Sequence, residues 1–430
     1  MRNEIFGDVA MKKFILFFII VLSVLSSSTR GQGINAARES EATSARLDEL
    51  RREGFERLYN LEYEEARRSF KEIVRLYPQH PAGAQFLATS LWLQTLSDAR
   101  RLQSSIYNSD SFYEETDDRI EPRIVNQFRE WTRQAKALAD ARLRLNPRDT
   151  EALYFSGAIE GLKAAFAGAV ERKFIPALRS GSRAVDSHRE TIKIDPAYTD
   201  AELTIGLYDY IIGDLPLPVK LLASVGGVRG SKRRGLETLE RVAKEARWAG
   251  DDARTVLIAL YKREGRWADA LKVARELAEK YDRNYIFKLE AADALTSLAA
   301  SERKANSADA AAKHEQEAFA IFDRLLQRER AATRESTMRR ALDLVHFRYG
   351  EALLAANRFE RAAKEFKTAA NLSGAEAGIA TMAHLRAAQA LDLAGTRNDA
   401  ISEYKAVLAR PNLYDSHRGA ARGLQEPFRR

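Results

Sequence analysis

Apolar side chains recur at helical spacing over most of the chain. One such stripe, on a helix predicted to end before Pro78, has offsets of 3, 4 and 3: Tyr63, Ala66, Phe70 and Ile73. The same cadence returns in stretches that begin at Trp267, Phe359 and Arg397. A turn-forming residue stands two positions before each of these starts: Gly265, Asn357 and Gly395. The pattern therefore predicts a repeated unit of a helix, a tight turn and a second helix.

Composition is that of a folded protein and excludes several kinds of chemistry. Of the 430 residues, 45% are hydrophobic and 30% are charged, which is too apolar for a disordered chain. The chain has no cysteine, so disulfides, cysteine-ligated metals and thiol nucleophiles are excluded. The six histidines are scattered, and no motif of a serine hydrolase or a zinc protease occurs. We therefore predict a protein that is not an enzyme and has no cofactor, catalytic or metal site.

Residues 1–32 are predicted to be a signal peptide, and Met11 is an alternative start. Lys12 and Lys13 precede an apolar run of 12 residues, from Phe14 to Leu25. This run is shorter than the roughly 20 residues that cross a membrane comfortably. We expect an exported protein, periplasmic or associated with the envelope. The alternative is that the segment is retained as an anchor in the inner membrane.

Small residues recur where two helices of a unit would touch. They are glycines in the first helix (Gly54, Gly157, Gly206 and Gly350) and alanines in the second (Ala66, Ala270, Ala362 and Ala400). Prolines close three units: Pro78, Pro147 and Pro196. This pattern resembles the tetratricopeptide repeat (TPR), a helical hairpin of about 34 residues. His188 occupies the second-helix position that Phe70 and Phe366 hold in other units, so we expect a packed rather than a catalytic histidine.

The resemblance implies an all-α fold, an α-solenoid that winds into a right-handed superhelix. We predict about eight degenerate TPR-like helix pairs over residues 43–410, after a linker at 33–42 and before a carboxyl-terminal tail at 411–430. Two insertions are predicted to interrupt the array, at 103–122 and 213–235.

The first insertion is acidic and carries three aromatic residues: Tyr107, Phe112 and Tyr113. We favour a surface crossover over a lid that binds a partner. The second insertion contains Pro216, Pro218 and a basic cluster made of Arg229, Lys232, Arg233 and Arg234. We favour an internal hairpin, and the alternative is a membrane contact in which the basic cluster meets anionic headgroups.

Residues 205–239 also resemble part of the eukaryotic inclusion-body-clearance and tetratricopeptide-repeat-39 family. The matching residues are Gly206, Pro216, Pro218, Leu221, Leu222, Gly227, Gly230, Gly235 and Leu236. This resemblance implies a helical-repeat protein linked to lipid and aggregate handling.

A superhelix of helix pairs exposes a concave face lined by the first helix of each pair. We predict that this exported scaffold binds a protein or peptide partner there, and a lipid-handling module that uses the hairpin at 213–235 is the alternative. The net charge of +8 is modest for this length, so we expect no nucleic-acid partner. The predicted partner-binding residues on the concave face are Tyr154, Leu203, Leu207, Tyr210, Thr255, Lys262, Arg263, Phe347, Glu351, Gln389 and Asp392.

Overall fold

The computed structural model describes residues 34–104, 120–215, 229–331 and 337–430. The predicted signal peptide lies outside these ranges and stays a prediction. Helices account for the regular structure of the described residues. In chain order they are α1 (Ile34–Tyr59), α2 (Tyr63–Leu76), α3 (Ala82–Asp98), α4 (Pro122–Leu145), α5 (Thr150–Ala169), α6 (Phe174–Ile194), α7 (Glu202–Asp214), α8 (Lys232–Glu245), α9 (Gly250–Arg263), α10 (Trp267–Lys280), α11 (Tyr285–Lys304), α12 (Ala308–Ala331), α13 (Thr337–Arg340), α14 (Leu342–Ala355), α15 (Phe359–Asn371), α16 (Ala377–Leu393), α17 (Arg397–Leu408) and α18 (Ser416–Gln425).

Within the described ranges, contacts join six pairs of successive helices: α1–α2, α5–α6, α7–α8, α11–α12, α14–α15 and α16–α17. By their order along the chain, α3 with α4 and α9 with α10 correspond to two further units. The second helix of one pair also packs on the first helix of the next, as α15 does on α16. Contacts divide the chain into two compact units. The first unit consists of residues 1–96 and 120–260, and the second of residues 97–119 and 261–430.

Close contact between the helices of a pair depends on the predicted glycines. A Cβ atom added to Gly54 would lie 2.2 Å from the Phe70 ring, and one added to Gly350 would lie 2.7 Å from the Phe366 ring. Such distances are far below van der Waals contact, so only glycine lets these aromatic rings lie against the first helix. The four predicted alanines of the second helices are fully buried. The prediction of TPR-like helix pairs is confirmed.

Turns and helix ends also follow the sequence prediction. Gly265, Asn357 and Gly395 adopt φ values of 71°, 58° and 81° between the two helices of their pairs. Glycine enters this left-handed region at little cost, and asparagine is among the other residues that tolerate it. Each of the three closing prolines lies two residues beyond the end of a helix: Pro78 after α2, Pro147 after α4 and Pro196 after α6. Because proline lacks an N–H group, it fits a position where the helix has already stopped.

Several predicted boundaries differ from the structure. Helix α1 already begins at Ile34, so most of the predicted linker at 33–42 is helical. The predicted tail at 411–430 contains α18, which packs against α16 and α17. Gly423 explains this docking, because its missing side chain makes room for the Tyr404 ring. The insertions lie between α3 and α4 and between α7 and α8. The aromatic residues of the first insertion and both prolines of the second lie outside the described residues.

Candidate functional site

A short stretch between α3 and the first insertion, which includes the first two residues of that insertion, lies against the first helices of the second unit. We call residues 99–104 the groove segment; it follows α3 and contacts residues far away in sequence. Arg100 Nε donates a hydrogen bond of 2.8 Å to Asp343 Oδ1 on α14. This ion pair is buried, so loss of one partner would leave an uncompensated charge in the protein interior. Arg101 is almost completely buried and donates to the Tyr414 hydroxyl.

The other end of the groove segment is fixed by a buried cluster of charges. The Ser104 backbone N–H and hydroxyl donate to the two carboxylate oxygens of Glu290 on α11, at 2.6 and 2.8 Å. Lys262 on α9 donates to Glu290 and, at 2.6 Å, to Asp293. Burial disfavours the charged ammonium group, but the two carboxylates outweigh this effect and raise the pKa of Lys262 above its ordinary value. The segment therefore occupies part of the first-helix face in the way that a bound peptide would.

A cavity of about 410 Å³ opens beside the groove segment. Helix α14 contributes Phe347, Arg348 and Glu351, and α16 contributes residues from Gly378 to Gln389. Ala99, Arg100 and Tyr414 complete the wall. The cavity thus lies between the first helices of the last two pairs, next to the beginning of the groove segment.

Apolar and charged groups are separated within this cavity. Its apolar wall consists of Phe347, Ile379, Met382 and Leu385. Arg386 binds Glu351 through two parallel hydrogen bonds of 2.6 and 2.8 Å, and it also donates to Gln389. Burial raises the pKa of Glu351, but the Arg386 charge outweighs it, so the net pKa lies below the ordinary value and the carboxylate is ionised near neutral pH.

Arg348 differs from the other two arginines of the cavity. Arg100 and Arg386 bind carboxylates, whereas the Arg348 guanidinium makes no hydrogen bond within the described ranges and its Nε atom is buried there without an acceptor. The Arg348 charge acts on Asp293 and Glu351, and its guanidinium carbon lies 5.7 Å from the centre of the Phe347 ring. A buried donor that lacks an acceptor is costly. A ligand with an acidic group and an apolar side chain would satisfy both Arg348 and the apolar wall.

The predicted concave-face residues fall into two groups. Five are buried in helix packing and expose almost no surface, so their contact with a partner stays a prediction: Tyr154, Leu203, Leu207, Tyr210 and Lys262. Tyr154, for example, stacks on His188 with ring centroids 5.1 Å apart. Phe347 is buried but forms part of the cavity wall.

The remaining predicted residues keep some exposure. Glu351 and Gln389 line the cavity together with Phe347, as the repeat register predicts. Thr255 and Asp392 are half-buried, and Arg263 is exposed. Asp392 accepts hydrogen bonds from Arg397, Tyr404 and the Phe428 backbone N–H, so its carboxylate holds the end of the chain rather than facing a partner.

The predicted basic cluster is largely neutralised by carboxylates of its own unit. Lys232 lies 2.9 Å from Asp214, and Arg234 binds both carboxylate oxygens of Asp209. Arg233 pairs with Glu237 across one helical turn at 3.1 Å. Arg229 is exposed. Paired cations attract an anionic surface less than free ones, so the described part of this insertion does not favour membrane contact.

Sequence reasoning missed Arg348, Met382 and the whole groove segment. The repeat register could have identified Arg348, because it lies one turn from Glu351 on the same helix. Nothing in the sequence links Ser104 to Glu290, since 186 residues separate them. No helix among the described residues is long and apolar enough to cross a membrane. Nor do those residues contain a cluster of side chains suited to bind a metal ion.

Comparison with known proteins shows that this chain is similar in fold to several solved structures. No family model matches the chain, and no curated protein matches it. Solved structures similar to the chain include the human IFIT1 dimer with PPP-AAAA, at 12% identity and a TM-score of 0.45, over 86% of this chain and 80% of that one. Another is a tetratricopeptide repeat protein from Parabacteroides merdae, at 14% identity and a TM-score of 0.29, over 76% of this chain and 92% of that one.

The helix pairs, their glycine–aromatic contacts and their turns decide the type of fold. The chain is a TPR-like helical-repeat protein. The TPR-like structures named above share this all-helical type with it, and at their identities and TM-scores they carry no argument about its ligand.

The exclusion of nucleic acid as a partner is wrong. IFIT1 has been solved with PPP-AAAA and with Gppp-AAAA, so a helical-repeat fold can hold RNA. The physical error lies in the use of net charge, because a few local guanidinium groups can bind phosphate whatever the charge of the whole chain. A modest net charge on a helical-repeat chain therefore excludes no class of partner.

Proposed function

We propose that the protein is a non-enzymatic scaffold that holds a segment of a protein partner in the cavity between α14 and α16. The observation that carries this proposal is the Arg348 guanidinium, which makes no hydrogen bond to the described residues and lies beside an apolar wall. A partner segment that pairs an acidic group with an apolar side chain fits both features. Export through the amino-terminal segment is part of the same proposal.

The size of the cavity supports a short segment rather than a folded surface. A volume of about 410 Å³ lies within the range of small-molecule and side-chain pockets. Side chains in such a pocket contribute most to the binding free energy when they are desolvated and surrounded by contacts that exclude water. Met382 suits this role because its unbranched, flexible side chain adapts to different apolar groups.

A display library of random peptides tests the proposal. The purified chain from residue 33 onwards should enrich peptides that carry an acidic residue next to an apolar one. Arg348→Glu should lower the affinity for the enriched peptides roughly tenfold to a hundredfold. The reason is that a hydrogen bond to a charged group contributes about 1.5–3 kcal/mol to binding. Arg358→Glu is the matched control, since Arg358 is exposed on the same helix pair.

A parallel measurement with a pool of short single-stranded RNA separates the two classes of partner. The proposal expects peptide enrichment that depends on Arg348. Enrichment of RNA that depends on Arg348, without enrichment of peptides, would replace the protein partner by a nucleic acid. If neither probe responds to Arg348→Glu, the cavity is not the binding site.

A further inference from the structure

The groove segment binds the second unit through contacts of the kind that an extended ligand makes. Its backbone and side chains reach three first helices in succession: Lys262 on α9, Glu290 on α11 and Asp343 on α14. Arg100 adopts a φ of 58°, a left-handed conformation that is unfavourable for arginine. This conformation is maintained by four hydrogen bonds of its guanidinium, to Asp343, Ser97, Asp98 and Arg340.

The segment is also incompletely satisfied. Gln103 is fully buried, and neither its amide nitrogen nor its amide oxygen has a hydrogen-bond partner among the described residues. Buried polar groups without partners destabilise the state that contains them. The left-handed Arg100 and the unpaired Gln103 therefore oppose the docked state, while the ion pair of Arg100 with Asp343 and the hydrogen bonds of Ser104 to Glu290 favour it.

The groove segment and the cavity are continuous. Ala99 and Arg100 form one wall of the cavity, so release of the segment would extend the cavity along α11 towards α9. We propose that the groove segment is an internal ligand that reversibly covers the first-helix groove of the second unit and restricts access of an external segment to it. This inference concerns the groove beside the cavity and stands whether or not the cavity binds a partner.

Hydrogen exchange of the wild-type chain tests reversibility directly. The Ser104 amide is bonded to Glu290, and the amides of α14 are bonded within their helix. If the segment leaves while the groove stays folded, the Ser104 amide should exchange at least tenfold faster than the central amides of α14, after correction for intrinsic rates. Equal protection of the two would mean that the segment opens only with the unit, and the proposal would be overturned.

A binding measurement tests whether the groove accepts a ligand once the segment is weakened. The probe is a labelled peptide with the sequence of residues 97–104, and the matched control peptide carries Arg100→Ala. A tethered segment competes at an effective concentration on the order of 1 mM, so the wild-type chain should not bind the probe at micromolar concentration. The double variant Arg100→Ala/Ser104→Ala should bind the probe at least tenfold more tightly than the wild type does, and more tightly than it binds the control peptide.

The fold of the double variant is checked by its circular dichroism and by exchange of the α14 amides. If the variant is folded and still does not bind the labelled peptide, the groove does not accept an external segment and the inference is wrong. If the wild type binds the probe as tightly as the variant does, the segment does not restrict access. Should the variant not fold, the exchange measurement on the wild type decides alone.

Discussion

Burial of His188 predicts a specific loss of stability in acid. His188 is fully buried in α6, and its Nε2 atom lies 3.0 Å from the Tyr154 carbonyl oxygen, to which it donates. The other ring nitrogen, Nδ1, is buried and has no hydrogen-bond partner in the part of the chain that the structure describes. Protonation would place a charge and an unpaired N–H group in the helix interface. Burial is the main cause that lowers the pKa of His188 from 6.5 to about 4, and the carbonyl acts weakly in the opposite direction.

The size and sign of the effect follow from the two pKa values. Above pH 6.5 the histidine is neutral in both the folded and the unfolded chain, so it makes no pH-dependent contribution. Between pH 6.5 and about 4 the unfolded chain binds a proton that the folded chain does not bind. The free energy of unfolding therefore falls as pH falls, by up to about 3 kcal/mol, since each pKa unit corresponds to about 1.4 kcal/mol.

Urea unfolding of the wild type and of His188→Phe, measured from pH 7.5 to pH 4, tests this reasoning. Tryptophan fluorescence reports on the first unit through Trp92, Trp131 and Trp248. Phenylalanine already fills the corresponding positions in two other pairs, so the variant should fold and should lose the acid-dependent term. His80→Gln removes the other histidine of the first unit, and this variant should still show the acid-dependent loss in the free energy of unfolding. An identical acid loss in the wild type and in His188→Phe would refute the account.

Three further changes test the packing of the two units by chemical denaturation. Gly157→Ala should destabilise the first unit by about 1–3 kcal/mol, because its Cβ would lie 2.3 Å from the His188 ring, and a neutral result would contradict the packing described. Gly161→Ala on the same helix is its control and should be neutral or stabilising by up to about 1 kcal/mol, since the nearest atom would be 3.9 Å away. Lys262→Met should destabilise the second unit by about 3–5 kcal/mol, because Glu290 would stay buried without its cation, and adding Glu290→Met should recover part of this loss.

The sequence contains enough information to predict the fold because its signals are local. The glycine–aromatic contacts that the repeat pattern predicts each join the two helices of one hairpin, and the turn residue between the helices marks the register. Gly54 with Phe70 and Gly350 with Phe366 could therefore be identified from spacing alone. The same logic explains the prediction that His188 is packed, which the structure confirms.

The candidate site could be predicted only in part, because it depends on contacts between distant residues. Three residues that the register assigns to the concave face, Phe347, Glu351 and Gln389, line the same cavity. Tyr154 and Lys262 are instead buried, because the exposure of a first-helix side chain depends on how the neighbouring helices pack. The groove segment is held by contacts with distant residues, such as the hydrogen bond from Arg100 to Asp343. These two residues are 243 positions apart, and no periodicity in the sequence predicts that they meet.

Photo-crosslinking from the cavity tests the central claim most directly. A photoreactive residue replaces Met382, which lines the cavity, or Lys364, which is exposed on α15 and serves as the control. Both are expressed in the native host, with and without Arg348→Glu. The account predicts a discrete protein adduct from position 382 that is absent from position 364 and is lost with Arg348→Glu. An adduct that is independent of Arg348, or the absence of a protein adduct from position 382, would contradict it.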